Sequence, residues 1–300
     1  MAFKQIIVPL DGSKAAEAAI PHASRLARLF GARVLLLRVL DAASAGHGPD
    51  SIDWRMQKAE AHRYLQELAA LATLADLSVS VELNEGRPAD CVLDTAARVG
   101  ADLIVMSVHG ANAGSSCPFG STAHKILAAA CISVVIVGGT GEPGGNGADP
   151  YRRALVPIDG SQQADMALQF AVAMATSDGQ MEIVVLHLVA PPLMPRRGSL
   201  SAEEQSLHDQ VIAINSRAAE CHLKDIQRQF QSSVGMVCRL ELSADPVQAI
   251  TRVAGAEQAD LLIMTCPEQG QTQRLCRLSL CETVQIISEL PLVILQSSGK

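Results

Sequence analysis

Ser107, Gly110, Gly120, Ser121 and Thr122 stand in the pattern Ser-x2-Gly-x9-Gly-Ser-Thr, directly after the apolar run Leu103-Ile104-Val105-Met106. Small residues of these types could build a phosphate cradle, or only a flexible loop. Glycines let backbone N–H groups come close to an anion, hydroxyls donate to it, and a helix beginning at Gly120-Ser121-Thr122 would turn its positive end toward it. Between Ser107 and His124 there is no lysine or arginine. The GxxxxGK(S/T) loop is also absent, so binding is expected and fast phosphoryl transfer is not.

A second group of residues must share that site. Val8-Pro9-Leu10-Asp11-Gly12-Ser13 returns as Val156-Pro157-Ile158-Asp159-Gly160-Ser161, 148 residues later. Ala101-Asp102-Leu103-Ile104-Val105-Met106 returns as Ala259-Asp260-Leu261-Leu262-Ile263-Met264, 158 residues later. The chain is therefore an internal repeat, with about ten extra residues in the second copy. The stretch Pro191 to Ser201, broken by proline and glycine, is their expected place. The expected domains are residues 1–138, a glycine-rich linker at 139–149, and residues 150–300.

In the first copy, strands are expected near 4–10, 33–39, 78–84, 102–107 and 133–137. Helices are expected near 14–30, 52–74, 89–99 and 120–130. Continuous apolar strands alternating with helices predict an α/β fold, two tandem doubly wound parallel-sheet domains of flavodoxin or Rossmann-like type. Ligands of such sheets sit outside the carboxyl ends of the strands, where Asp11 and Ser107 would face one crevice.

Composition narrows the partners. A net charge of -7 and 3 % aromatic residues argue against nucleic acid and against anionic membranes. No apolar run approaches the ~18 residues needed to span a bilayer. The opening Met1 to Gln5 runs into a strand without a signal-like region, so a cytoplasmic protein without membrane insertion is expected. Eight cysteines without a CxxC pair read as reduced and mostly buried.

The V-P-x-D-G-S start, the strand ending Leu103 to Ser107 and the Ser107-x2-Gly110-x9-Gly120-Ser121 spacing together resemble the universal stress protein family, over nearly the whole chain as two copies. The resemblance implies an adenine nucleotide alpha hydrolase-like sandwich whose paired domains meet through their last strands. It also implies ATP as ligand, with magnesium as its companion. By that likeness Pro9, Asp11 and Val39 would line the adenine and ribose end. Met106, Ser107, Gly110, Gly120, Ser121 and Thr122 would hold ribose and phosphates. Ser107 departs from the family's glycine at the first motif position.

In the second copy the corresponding positions are Thr265, Glu268, Leu278 and Ser279, so an acidic side chain would face the phosphates and a nucleotide is not expected there. The resulting picture is a stress-response regulator that binds ATP in its first domain and signals through conformation or an unidentified protein partner. Its assembly would be an intramolecular pseudo-dimer, open to further pairing as a homodimer of tandem chains. Two rival readings are a slow ATPase in the same crevice and a nucleotide-free dimerisation scaffold. Plainer roles compete for single residues. Ser13 and Ser161 could cap helices, Asp11 and Asp159 could serve only the turn, and His109 and His124 could be solvated surface groups. Cys266, Cys276 and Cys281 lack a zinc spacing, and Arg196-Arg197 reads as ordinary surface.

Overall fold

The computed structural model describes residues 3–41, 52–71, 74–108, 120–138, 151–192, 201–230, 233–266 and 271–296, except the side chains of 266 and 271–279. In chain order the elements are β1 (Gln5–Leu10), α1 (Lys14–Glu17), α2 (Ala19–Phe30), β2 (Arg33–Leu40), α3 (Ile52–Ala69), β3 (Val79–Glu85), α4 (Pro88–Val99), β4 (Leu103–Ser107), α5 (Ser121–Ala129) and β5 (Ser133–Val137). The second copy supplies β6 (Arg153–Ile158), α6 (Gln162–Asp178), β7 (Glu182–Val189), α7 (Ala202–Phe230), β8 (Met236–Leu242), α8 (Pro246–Ala256), β9 (Leu261–Cys266), α9 (Gln271–Ser288) and β10 (Leu292–Gln296).

These elements gather into two compact units, residues 1–149 with 266–300, and residues 150–265. In the first unit the strands lie in the order β3-β2-β1-β4-β5-β10. The first five are parallel, and β10 runs antiparallel to β5. In the second unit the order is β9-β6-β7-β8, parallel throughout. The doubly wound α/β reading therefore holds.

Burial explains why the strand sequences are so uniformly apolar. Leu103, Ile104, Val105 and Met106 of β4 are all buried, as are all five residues of β5. The helices show the matching one-sided pattern. Ala19, Ile20, Ala23, Leu26 and Ala27 of α2 face inward, while Arg28 is exposed and grips Asp76.

Two helices end differently from the periodicity. The expected 14–30 helix divides at Ala18, because Pro21 has no N–H to donate to the Glu17 carbonyl. The expected 52–74 helix stops at Ala69. The expected insertion falls largely on residues 193–200, outside the described ones. The second copy is nonetheless longer in its helix: α7 has 29 residues where α3 has 18. It opens on a reciprocal cap, Ser201 Oγ accepting from Glu204 N–H and Glu204 Oε2 from Ser201 N–H.

The repeated Ala-Asp before β4 and β9 has a structural task. Asp102 accepts from the N–H groups of Lys4 and Gln5, and Asp260 does the same for Arg152 and Arg153. Each carboxylate thus satisfies backbone donors at the start of a central strand.

Pairing of the last strands, expected from the family likeness, is present inside the first unit. Leu292 lies opposite Ile136, Val293 opposite Val135, and Ile294 opposite Val134. Val293 is 158 residues after Val135, so the two equivalent valines face each other and mark a local dyad. The backbone N–H of Gln296 also donates to Ser133 Oγ at 3.3 Å.

One histidine is expected to make this unit acid-sensitive. The half-buried His22 on α2 is pushed down to about 4, first by burial and then by Arg25. Its folded pKa lies below the ordinary 6.5, so the cost is absent above about pH 6.5 and grows as pH falls toward 4. At most about 3 kcal/mol is lost, and less to the extent that water reaches the ring edge. We expect urea denaturation between pH 7 and pH 4.5 to show a shallower loss of stability in His22→Gln than in the wild type. Parallel pH profiles would refute this.

Candidate functional site

The crevice originates in the sheet. β1 and β4 pair only at Ile6–Leu103 and Ile7–Ile104, whereas β1 and β2 pair over six positions. From Val8 onward β1 and β4 lack partners in one another, and the strand order reverses here, β1 being flanked by β2 on its other edge and β4 by β5. This is the switch point at which doubly wound folds bind ligands. Pro9, half-buried and without an N–H, sits just beyond the last β1–β4 pair.

The turn after β1 is built by its own side chains. Asp11 Oδ1 accepts from Ser13 N–H at 2.9 Å and from Ser13 Oγ–H at 2.6 Å. Gly12 crosses the bend at φ +90°, a region closed to most side chains. Ser13 Oγ then accepts from Ala16 N–H and caps α1. The second copy repeats the device through Asp159, Gly160 at φ +79° and Ser161, which caps α6. The capping role of Ser13 and Ser161 is therefore real, and both aspartates shape their turns.

The other lip of the crevice is the end of β4 and the start of α5. Met106 is buried and Ser107 half-buried at the strand end. Gly120 N–H donates to the Val108 carbonyl at 3.1 Å, which pins the start of α5 beside the strand. A Cβ on Gly120 would lie 2.8 Å from that carbonyl oxygen, so only glycine fits without movement. Among the described residues no side chain caps α5, whose first turn carries the N–H groups of Ser121, Thr122 and Ala123.

The structure thus brings Pro9, Asp11, Val39, Met106, Ser107, Gly120, Ser121 and Thr122 to the carboxyl end of the first unit's sheet. Gly110 and His109 lie outside the described residues. Gly120 differs from its expected role in one respect: its N–H is already taken by Val108, so the donors are those that follow it.

Four residues of this region were not singled out in the sequence. Arg38, opposite Leu10 on β2, brings its guanidinium against Gly12. Its Cζ lies 5.0 Å from the centre of the Tyr64 ring. Tyr64 donates to Glu17 Oε1 at 3.2 Å, and Lys14 pairs with the same carboxylate. Burial raises the Tyr64 pKa, and Glu17 raises it further, so the phenol stays a proton donor. The only sequence signal for Arg38 was a charge in the middle of an apolar run, Val34 to Leu40.

His124, expected as a solvated group, has a partner. Its Nδ1 is 2.6 Å from Glu282 on α9, again a pair of positions 158 residues apart. In the second unit, His187 is buried with Nδ1 unpartnered, edge-on to His222 at 5.5 Å. Burial lowers the His187 pKa, as does His222. Thr265 is buried, while Glu268 and the side chains of Leu278 and Ser279 lie outside the described residues.

The cysteines correct one expectation. Cys281 is buried, Cys91 and Cys238 are half-buried, and Cys131 and Cys221 are exposed. Among the described residues no group of histidine, cysteine and carboxylate side chains could hold a metal ion. No helix among them is long and apolar enough to cross a membrane.

Comparison with known proteins agrees with this architecture. The model of the universal stress protein family matches residues 2–138 and again residues 150–295. The chain is similar to a universal stress protein of Thermus aquaticus, 32 % identical over 139 residues, covering 45 % of this chain and 98 % of that one. It is also similar to one from Methanocaldococcus jannaschii, 29 % identical over 139 residues, 45 % and 82 % of the two chains. A solved universal stress protein from Archaeoglobus fulgidus superposes with a TM-score of 0.70 over 98 % of each chain at 17 % identity, a likeness of fold.

Proposed function

The chain belongs to the universal stress protein family through both of its halves, and on that premise we propose that its first repeat binds ATP, with magnesium, in the crevice between the ends of β1 and β4. One observation carries the reading. The two strands stop pairing after Ile7–Ile104, with the Asp11 turn on one lip and the uncapped start of α5 on the other. Pro9, Asp11 and Val39 would take the base and ribose. Met106, Ser107, Gly110, Ser121 and Thr122 would take ribose and phosphates, with Gly120 holding the start of α5 in place.

Four or five hydrogen bonds to a charged ligand, at roughly 1.5 to 3 kcal/mol each, are enough for micromolar affinity after the entropy of binding. The second repeat, 150–300, would carry no nucleotide. We read the protein as a regulator whose ATP occupancy biases a conformation recognised by a partner.

The test uses the whole chain, because residues 266–300 fold with the first unit and a cut near 150 would strip β10 from β5. Calorimetry with ATP and magnesium is expected to give about one site per chain. Asp11→Asn, which keeps an acceptor for Ser13 N–H but removes the charge, should weaken binding about 10- to 100-fold. Asp159→Asn should not. Two sites per chain, or equal losses from the two substitutions, would overturn the assignment. Single-turnover hydrolysis in the same samples is expected to be far slower than the ~10 per second of an ordinary enzyme.

A further inference from the structure

The two D-G-S turns rest on props built at equivalent positions from different residues. In the first copy, a Cβ built on Gly12 would lie 3.0 Å from Arg38 Nη2 and 3.2 Å from Cζ, so the guanidinium lies against the bare backbone of the turn. Its other neighbour is the Tyr64 ring, at a distance where cation–π attraction acts. Tyr64 is tied to Glu17 on α1, the helix that Ser13 caps. The contacts close a ring: turn, α1, Glu17, Tyr64, Arg38 and back to the turn.

In the second copy His187 faces Ile158 in the register where Arg38 faces Leu10. Its Nε2 lies 3.7 Å from the Cβ position of Gly160. His222, 158 residues after Tyr64, packs edge-on to it, and Asp165, 148 residues after Glu17, stands 3.9 Å from His222 Nε2. Three partners recurring in the same order under the same glycine are poorly explained by incidental packing. Of the two groups that lie under the glycines, Arg38 and His187, only Arg38 carries a permanent charge.

We propose that Arg38, braced by Tyr64, is a positioning residue of the ATP site: it holds the Asp11-Gly12-Ser13 turn in the shape that presents Asp11 to the base end of the ligand. This rests on the nucleotide reading above. Arg38 acts through the turn and leaves the phosphates to α5. A charged, planar group in contact with both the turn and an aromatic ring suits that task better than a flexible ammonium.

The experiment measures ATP and adenosine binding by the full chain, together with amide hydrogen exchange at Gly12 and Ser13 in the ligand-free protein. Arg38→Met and Tyr64→Leu are expected to weaken ATP and adenosine by the same factor, about tenfold, with Arg38→Lys in between. Tyr64→Phe, which keeps the aromatic face against Arg38 but loses the hydrogen bond to Glu17, should fall between wild type and Tyr64→Leu. Exchange at Gly12 and Ser13 should speed up in the two severe variants while the thermal midpoint moves little. Loss of ATP affinity without loss of adenosine affinity would make Arg38 a phosphate contact and refute positioning. Unchanged exchange would refute the prop outright. If the wild type binds no ATP, the nucleotide reading fails alone, and faster exchange still supports the prop.

Discussion

Val293→Asp is expected to destabilise the first unit by about 3 to 5 kcal/mol, although position 293 lies far along the chain from that unit's other strands. Val293 is 1 % exposed and directly opposite Val135, itself fully buried. A carboxylate there has no described partner across the strand pair, and the alternating ladder leaves it no route to water. Trp54 makes the measurement simple. It is the single tryptophan of the chain, 2 % exposed on α3, and donates to Glu85 at 3.0 Å. Its emission follows the unfolding of the first unit. The urea midpoint reported by Trp54 should fall sharply in Val293→Asp and in Val135→Asp. An unshifted midpoint would show that β10 does not support the fold around β5.

The second large effect concerns Gly120. Alanine there places a Cβ 2.8 Å from the Val108 carbonyl oxygen, closer than a carbon and a backbone oxygen can sit. The strand end and the start of α5 must separate, and the N–H groups of Ser121, Thr122 and Ala123 shift with them. ATP affinity is expected to drop about 100-fold, the loss of one or two amide contacts to phosphate. The crowding should also cost roughly 1 to 3 kcal/mol of stability, read from Trp54. The close approach to Val108 shows why the two effects are coupled. Wild-type ATP affinity in Gly120→Ala would remove the start of α5 from the site.

Local pattern carried most of the architecture. Apolar runs such as Leu103 to Met106 and Val34 to Leu37 announce strands covered on both faces, and the V-P-x-D-G-S repeat announces two copies of one plan. Placement at the crevice followed, because Asp11 and Ser107 each end a strand and parallel neighbours share their carboxyl ends. The residues that escaped notice act across the fold. Arg38 meets Tyr64 and Gly12 from three separate segments, and no spacing along the chain links them. His124 finds Glu282 only because α9 packs with α5. The break at Ala18 was legible in principle, since Pro21 lies one helical turn beyond Glu17, yet apolar periodicity runs straight through it.

The antiparallel partnership of β5 and β10 has a consequence during synthesis. β5 ends at Val137 and β10 begins at Leu292. About 155 residues must be translated between them, which takes about 8 to 30 s at ordinary elongation rates. Throughout that interval the nascent first repeat carries a five-residue apolar strand with one edge unfilled, and an edge of that kind pairs readily with another chain. The emerging polypeptide therefore has a period in which two copies growing on one messenger could exchange strands. Slow translation of the second repeat lengthens that period, and a chaperone that shields β5 until Leu292 arrives would shorten its effect.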